Sequence, residues 1–435
     1  MNIVVILLSF IFFAIIIKYT PFFRNIENIS YKFLIAAFTL KCIVGFIFLL
    51  VYNYYYEKST ADIYKYFNDG MIMAGAIKDN PIDFFRMISG IDAGAEHLDK
   101  YYAQMTSWFR PWEEPVYNDN RIVIRFNAII GIISGGNIGI HIISANFLTF
   151  TGLLAIYKFA KDKFSSNKLK YVFWGIILFP SVLFWGSGVL KESILLFALG
   201  IFLLYTQKII IIKHIKLIFI FNILISLFLL VLLKAYIGFL LIPVIIAYYI
   251  FRNKTDHYII LKYVAIFVLW MLIFMGIGYV FPSYNMLEIL ANKQNNFVNF
   301  TQFVEAGSII TDRLMQANIF SILSFVPSGF WNTLTRPHLL DSDSPIILIA
   351  ALENLFIWIS IIFMAVFYNK EKLFNPFLWF CISFVILTFI LVGIVTPIYG
   401  GLVRYKIPAL PFLWMAFLYL VDFEKIKLLI KKIFV

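Results

Sequence analysis

An all-α polytopic membrane protein is the fold class this sequence predicts, and three observations carry the prediction. Hydrophobic residues make up 62% of the 435, with 49 Phe among them, more than a soluble core of this size hides. Apolar runs recur along the chain, and at about 1.5 Å per residue the longer ones can cross about 30 Å of hydrocarbon. Basic residues gather in alternate connections between those runs, the distribution of a chain oriented by positive charge on the cytoplasmic side.

In chain order the runs predict about 11 transmembrane helices, near 3–19, 33–53, 137–158, 171–185, 190–206, 216–233, 236–251, 261–281, 346–368, 376–395 and 405–421. The pairs 171–185/190–206 and 216–233/236–251 contain short members, expected to form tight hairpins or partly re-entrant segments. The first run, Met1 to Ile17, lacks the basic start and small-residue cleavage site of a signal peptide and is expected to remain a helix. Cys42 and Cys381 both lie inside apolar runs, which points to packing rather than to a disulfide or a thiol metal site.

Placing the N-terminus outside puts the basic connections on one, cytoplasmic face. These are Arg24 with Lys32, the group Lys158 to Lys170, Lys208 to Lys216, Arg252 to Lys262, Lys370 with Lys372, and the tail Lys425 to Lys432. That asymmetry accounts for the formal charge of +12 without nucleic acid as a partner. The outer face then carries two long inserts, 54–136 and 282–345, in an otherwise single membrane domain spanning 1–435. Trp108, Trp112, Phe325, Phe330 and Trp331 mix with charges there, a composition suited to interfacial helices. Pro111 and Pro115 are expected to break one such helix, and Pro327 and Pro337 to shape the other region.

Chemistry-bearing residues concentrate in these outer segments. Asp62, in Ser59-Thr-Ala-Asp-Ile-Tyr-Lys-Tyr66, follows the second run and could accept a proton from an acceptor hydroxyl or join a metal. An isolated Asp at such a place is more often the N-cap of an interfacial helix or an outward carboxylate. Asp69, seven residues on, shares its helical face and would make a catalytic pair, while Tyr64 and Tyr66 suit interface anchors. In Phe179-Pro-Ser-Val-Leu-Phe-Trp-Gly-Ser-Gly-Val-Leu-Lys-Glu-Ser193, Gly186 and Gly188 allow a break, and Lys191 with Glu192 sets two charges between apolar runs. Lys191 could hold a phosphate with Glu192 orienting it, or the two could neutralise one another in a loop.

Near the C-terminus, Thr396-Pro-Ile-Tyr-Gly-Gly-Leu-Val-Arg-Tyr-Lys-Ile-Pro408 offers Arg404 and Lys406 to a lipid-linked phosphate or to ordinary headgroups. Arg125 and Arg336 are further phosphate candidates. The five histidines, His97, His141, His214, His257 and His338, lack zinc-ligand spacing; His338, near Arg336, Asp341 and Asp343, suits a loop cap better than a site. Lys41 and Glu353, inside or near runs, suit packing partners or a proton path. No phosphate-binding P-loop or dinucleotide glycine pattern occurs, so ATP and nicotinamide cofactors have no support.

These residues resemble the polytopic GT-C fold glycosyltransferases that use polyprenyl-phosphate sugars, especially the protein mannosyltransferase and aminoarabinose transferase-like members. Asp62 matches the family's acidic residue just after an early span, which acts at the acceptor as base or metal-associated group. Asn120-Arg-Ile-Val-Ile-Arg125 and Lys191-Glu192 resemble its downstream outer segment and charged turn, and Arg404-Tyr405-Lys406-Ile-Pro408 its arginine-tyrosine pair at the last spans. The span before residue 20 is additional to the family pattern, and Asp62 lacks an adjacent second acid.

The resemblance implies a bacterial inner-membrane enzyme with its site on the outer face. Its catalytic residues would be Asp62 and Asp69, its substrate ligands Arg125, Lys191, Glu192, Arg336, Arg404, Tyr405 and Lys406. Its partners would be a polyprenyl-phosphate-linked sugar, membrane lipids and a lipid, glycan or protein acceptor, with a divalent cation as the one metal in view. Polyprenyl-diphosphate O-antigen or exopolysaccharide polymerases and ligases share many of these features, and a lipid or glycan transporter is the reading from a different class.

Overall fold

The computed structural model describes residues 2–433 apart from 25, 27, 28, 55, 59, 60, 110–116, 212–215, 254 and 343. Ser59, Pro111, Trp112, Pro115, His214 and Asp343 thus lie outside the described residues. Every regular element among those described is helical, apart from two isolated bridges, Ile309 with Ile398 and Tyr368 with Val421. The all-α class therefore stands.

The number of spans does not. Seven helices among the described residues are long and apolar enough to cross a membrane, against the eleven read from the sequence. They are Tyr31–Tyr54, Ile138–Lys163 with its 3-10 end, Lys191–Ile211, Leu217–Phe251, Ile259–Val280, Pro345–Val366 and Pro376–Val395.

Each missing span has a local cause. Ile3–Tyr19 is apolar but has 17 residues. The run at 171–185 divides into Ser166–Leu178 and Pro180–Trp185, because Pro180 has no N–H to continue the ladder. The runs at 216–233 and 236–251 lie on either side of a kink at Lys234, where the backbone is not helical, and the 35-residue stretch Leu217–Phe251 counts as one of the seven. The last run keeps 11 helical residues, Leu410–Leu420, after turns around Pro408.

The chain divides into two compact units. The first comprises Met1–Asp162 and Val182–Ala235, the second Lys163–Ser181 and Tyr236–Val435. One boundary thus falls a single residue past the break at Lys234.

In the first unit, Ile138–Ala160 and Lys191–Ile211 meet backbone to backbone. A Cβ added at Gly152 would lie 2.2 Å from the Leu196 carbonyl oxygen, and one at Gly200 would lie 2.0 Å from that of Gly152. Lipid gives helices no hydrophobic reason to associate, so close backbone approach at small residues supplies the attraction through van der Waals contact. Phe10, Phe13, Phe23, Phe38, Phe147 and Phe150 fill the neighbouring space with ring contacts. The insert at 54–136 contributes Asp62–Asp79, packed on Asn120–Ser134 where Gly70 faces Asn127 and Gly131 faces Ala74. Between them Pro81–Ser89 starts with Asn80 accepting the Ile82 N–H and ends at Gly90, whose φ of 82° suits a residue without Cβ.

The second unit repeats the device. Ile319–Thr335 crosses Pro376–Val395 where a Cβ at Gly393 would lie 1.8 Å from the Gly329 carbonyl oxygen, and Thr333 Oγ1 donates to the Phe389 carbonyl at 2.8 Å. Leu410–Leu420 packs on Ser166–Leu178, with Trp414 lying over Gly175 and donating from Nε1 to the Tyr171 carbonyl at 2.9 Å. The insert at 282–345 folds as Met286–Phe303 and Ile319–Thr335 around Ala291, Met315, Ile322, Phe325 and Ile394.

Overpacking a tight crossing costs about 1–3 kcal/mol. Gly393→Val is therefore expected to lower the thermal midpoint of detergent-solubilised protein, read by size exclusion after heating, by several degrees. Gly276→Ala, at a site with open space around it, should leave that midpoint unchanged.

Candidate functional site

The first unit gathers polar groups around the segment from Gly186 to Ser193, the entry to the Lys191–Ile211 helix. Apolar surroundings leave such groups no water, so each is tied to a partner. Lys41, fully buried in Tyr31–Tyr54, donates to the Gly186 carbonyl at 3.1 Å and to Ser187 Oγ at 3.0 Å. Asn146 Nδ2 donates to the Ser187 carbonyl at 2.9 Å, and Ser193 Oγ to that of Gly188 at 2.6 Å.

Lys191 and Glu192 then take opposite partners. Lys191 Nζ lies 2.7 Å from Asp119 Oδ1, and Glu192 Oε1 lies 3.9 Å from Lys234 Nζ. All but Asp119 are close to fully buried. Adjacent residues on a helix point about 100° apart, so a neighbouring lysine and glutamate cannot neutralise each other while facing two different elements. The sequence reading that paired them in a loop is replaced by two longer-range pairs.

Asp62 is the first residue of Asp62–Asp79, half-buried, with Ala61 as the cap, and its charge suits the positive end of that helix. One turn on, Tyr66 is buried rather than an interface anchor. Its hydroxyl donates to Asn120 Oδ1 at 2.8 Å, and the Lys191 ammonium stands 5.7 Å from its ring centre. Residues four apart share a helical face about 6 Å apart along the axis, so Asp62 stands on the Tyr66 side of its helix.

Asp69, two turns further, is 1% exposed and accepts backbone N–H groups from Thr106 at 2.9 Å and Ser107 at 2.7 Å. Burial raises its carboxyl pKa above the ordinary range, and those two N–H donors work against the rise. Its task in this geometry is to hold the 105–109 segment. Asn118 and Asn120 hold the same segment from the other side, through the Ser107 and Trp108 carbonyls.

Arg125 is also engaged within the unit. Its Nε donates to the Met87 carbonyl at 2.8 Å and its Nη1 to the Tyr117 hydroxyl at 2.9 Å, and its guanidinium stacks 5.3 Å from Trp108. Arg121 covers the same indole at 4.8 Å.

The second unit holds the other predicted residues. Arg336 Nη1 donates to the Tyr399 hydroxyl at 2.7 Å and lies 3.6 Å from Asp341 Oδ2. That same oxygen accepts the His338 N–H at 2.8 Å, so His338 and Asp341 form the loop cap that their spacing suggested. Arg404 and Tyr405 end the helix Tyr399–Tyr405, both half-buried, with the Tyr405 ring 6.4 Å from Phe297.

Lys406 is fully buried, bonded to Asn354 Oδ1 and 3.9 Å from Glu353 Oε1. Glu353 in turn accepts the Ser181 N–H at 2.6 Å and hydroxyl at 2.7 Å, and Asn354 Nδ2 donates to the Pro337 carbonyl at 3.0 Å. Lys406 thus joins an internal network instead of an outer mouth.

Three participants escaped the sequence reading. Lys234 lies between two apolar runs, where a lone cation is the usual mark of an intramembrane pair. Asp119 sits in an Asn-Asp-Asn run that reads as a helix start, and Ser181 carries no signal at all. Among the described residues no three His, Cys, Asp or Glu side chains come together as a cation site. Comparison with known proteins finds no matching family model, no matching curated protein and no matching solved structure.

Removing one partner of a buried ion pair costs about 3–5 kcal/mol, whereas replacing both by apolar groups is close to neutral. Lys234→Ala should therefore destabilise the protein strongly in a chemical or thermal unfolding assay. The double variant Lys234→Met with Glu192→Leu should recover most of that loss, a coupling that a double-mutant cycle measures.

Proposed function

We propose that the protein is a glycosyltransferase of a bacterial inner (cytoplasmic) membrane, with its N-terminus outside and its C-terminus cytoplasmic. It moves a sugar from a polyprenyl-phosphate-linked donor to a hydroxyl on a lipid, glycan or protein acceptor at the outer face. The observation that carries this reading is the convergence of Lys191, Asp119 and Tyr66 at the start of Lys191–Ile211, with Asp62 one turn before Tyr66. Support also comes from the sequence resemblance at Asp62, Lys191-Glu192 and Arg404-Tyr405-Lys406.

In this reading the donor phosphate takes the place beside Lys191 Nζ that Asp119 now occupies, helped by the positive end of a 21-residue helix. The acceptor oxygen bonds to the anomeric carbon as the bond from that carbon to the phosphate oxygen breaks. Polyprenyl phosphate departs with the electron pair, its growing charge met by Lys191. The acceptor proton passes to the Asp62 carboxylate and from there to water. Asp69 and Asn120 act indirectly, by fixing the segment and the tyrosine beside which the reaction runs. Glu192 keeps Lys234 as its counter-ion and leaves Lys191 its charge.

Within the second unit, Arg336, Arg404 and Tyr405 are proposed as a substrate-binding group considered by itself, with Lys406 acting through Asn354. Two guanidinium groups in the second unit suit a diphosphate, which is what keeps a polyprenyl-diphosphate polymerase or ligase as the second reading.

The test is turnover by purified protein with defined monophosphate- and diphosphate-linked sugars. Asp62→Asn and Lys191→Ala should each lower kcat by about 100-fold or more while eluting as folded protein. Turnover with the diphosphate donor alone selects the second reading. Turnover with neither, together with directional lipid-sugar movement in liposomes, replaces the transferase by a transporter.

A further inference from the structure

One end of the second unit is built from four separate stretches of chain, and hydrogen bonds fix them together. The Asp422 N–H donates to the Phe367 carbonyl at 2.8 Å and the Asn369 N–H to that of Leu420 at 3.0 Å, around the bridge between Tyr368 and Val421. The Asp256 N–H reaches the Phe374 carbonyl at 3.4 Å, which brings in the connection before Ile259–Val280. Lys168, at the start of Ser166–Leu178, donates to the Leu418 carbonyl at 2.6 Å and stands 4.8 Å over the Phe423 ring. Each stretch is one that the sequence marks as basic, so cations from all four collect at this end.

The helix Phe423–Ile433 completes it. Its sequence, FEKIKLLIKKI, places apolar positions 423, 426, 429, 430 and 433 on about one third of the circumference and lysine positions 425, 427, 431 and 432 on the opposite part, where exposed Leu428 is the one apolar position among them. Lys425 fastens the first turn to the Tyr368 carbonyl at 3.0 Å, whereas Lys427 is 70% exposed and its partner Glu424 75%. An exposed pair of this kind contributes little, so the Lys427 charge remains free to act on its surroundings. Lys431 is exposed as well.

We propose that this end, with Phe423–Ile433 as its contact, docks on the phosphate headgroups of an anionic lipid leaflet. Water satisfies the lysines alone and a hydrocarbon interior only the apolar positions. A headgroup layer satisfies both, because the helix can sink its apolar side among acyl chains while its lysines meet negative phosphates. Charge complementarity selects anionic over zwitterionic lipid, and continuity with the apolar helix Leu410–Leu420, two residues away, puts Phe423–Ile433 at the bilayer edge from the start. This inference is independent of the transferase reading, since no residue of the proposed reaction takes part.

The experiment is hydrogen exchange of the full-length protein in nanodiscs of pure phosphatidylcholine and in nanodiscs containing about one third phosphatidylglycerol. Each lysine near an anionic leaflet contributes about a fivefold preference, so amides of residues 424–433 should exchange at least about tenfold more slowly in the phosphatidylglycerol discs. The difference should shrink at high salt. Lys427→Gln with Lys431→Gln should abolish it, and Lys427→Glu with Lys431→Glu should invert it, with exchange elsewhere unchanged in both. Equal exchange in the two compositions overturns the proposal. Strong protection in both marks a protein contact or uncharged burial, and none in either marks a helix free in water.

Discussion

The constraint on which the rest of the first unit depends is that an ionised side chain away from water must meet an opposite charge or several strong dipoles. Lys41 uses a carbonyl and a hydroxyl, Lys191 uses Asp119, and Glu192 uses Lys234. These three solutions come from different helices, yet all fall on the eight residues from Gly186 to Ser193. Pairing of this sort adds little net stability compared with apolar packing, but it penalises every arrangement in which a partner is misplaced. The helix entry at Lys191 is therefore defined by electrostatics, and the glycine crossings between Ile138–Ala160 and Lys191–Ile211 set how closely the backbones then pack.

The second unit meets the same requirement with its own groups. Lys406, the adjacent pair Glu353 and Asn354, and Ser181 come from three places in the sequence and satisfy one another almost completely. Asp69 in the first unit is the variant for a loop: a buried carboxylate that takes backbone N–H donors as its partners and so orders the chain that carries them. In each case the polar group does local structural work first. Asp62 and Asp119 differ in standing close to a helix entry and remaining partly exposed.

Much of the helical content was legible because an apolar run without Gly or Pro has few alternatives in lipid. What misled the span count was the treatment of each run as complete in itself. Pro180 acts at a single position by removing a backbone donor, to which run length is blind, whereas the kink at Lys234 falls between the two runs and leaves them a single 35-residue stretch. The site was legible in its residue types and much less in its pairings. Lys191 and Glu192 stood out for their charge, but which partner each takes depends on a fold that brings together positions more than forty residues apart, and sequence spacing holds no such information. Tyr66 was misjudged for the related reason that an aromatic residue near a membrane boundary reads the same whether its hydroxyl faces water or a buried asparagine.

The pair between Glu192 and Lys234 also bears on how the chain enters the bilayer. A lysine within an apolar stretch raises the cost of lateral release from the translocon by about 2.5–3.5 kcal/mol, and Lys234 carries that cost at the kink between two apolar helical segments. Glu192 leaves the ribosome about forty residues ahead of Lys234, so at the synthesis rates of living cells the carboxylate is in place seconds before the ammonium arrives. Order of synthesis thereby gives the charge at the kink a counter-ion that precedes it in the chain.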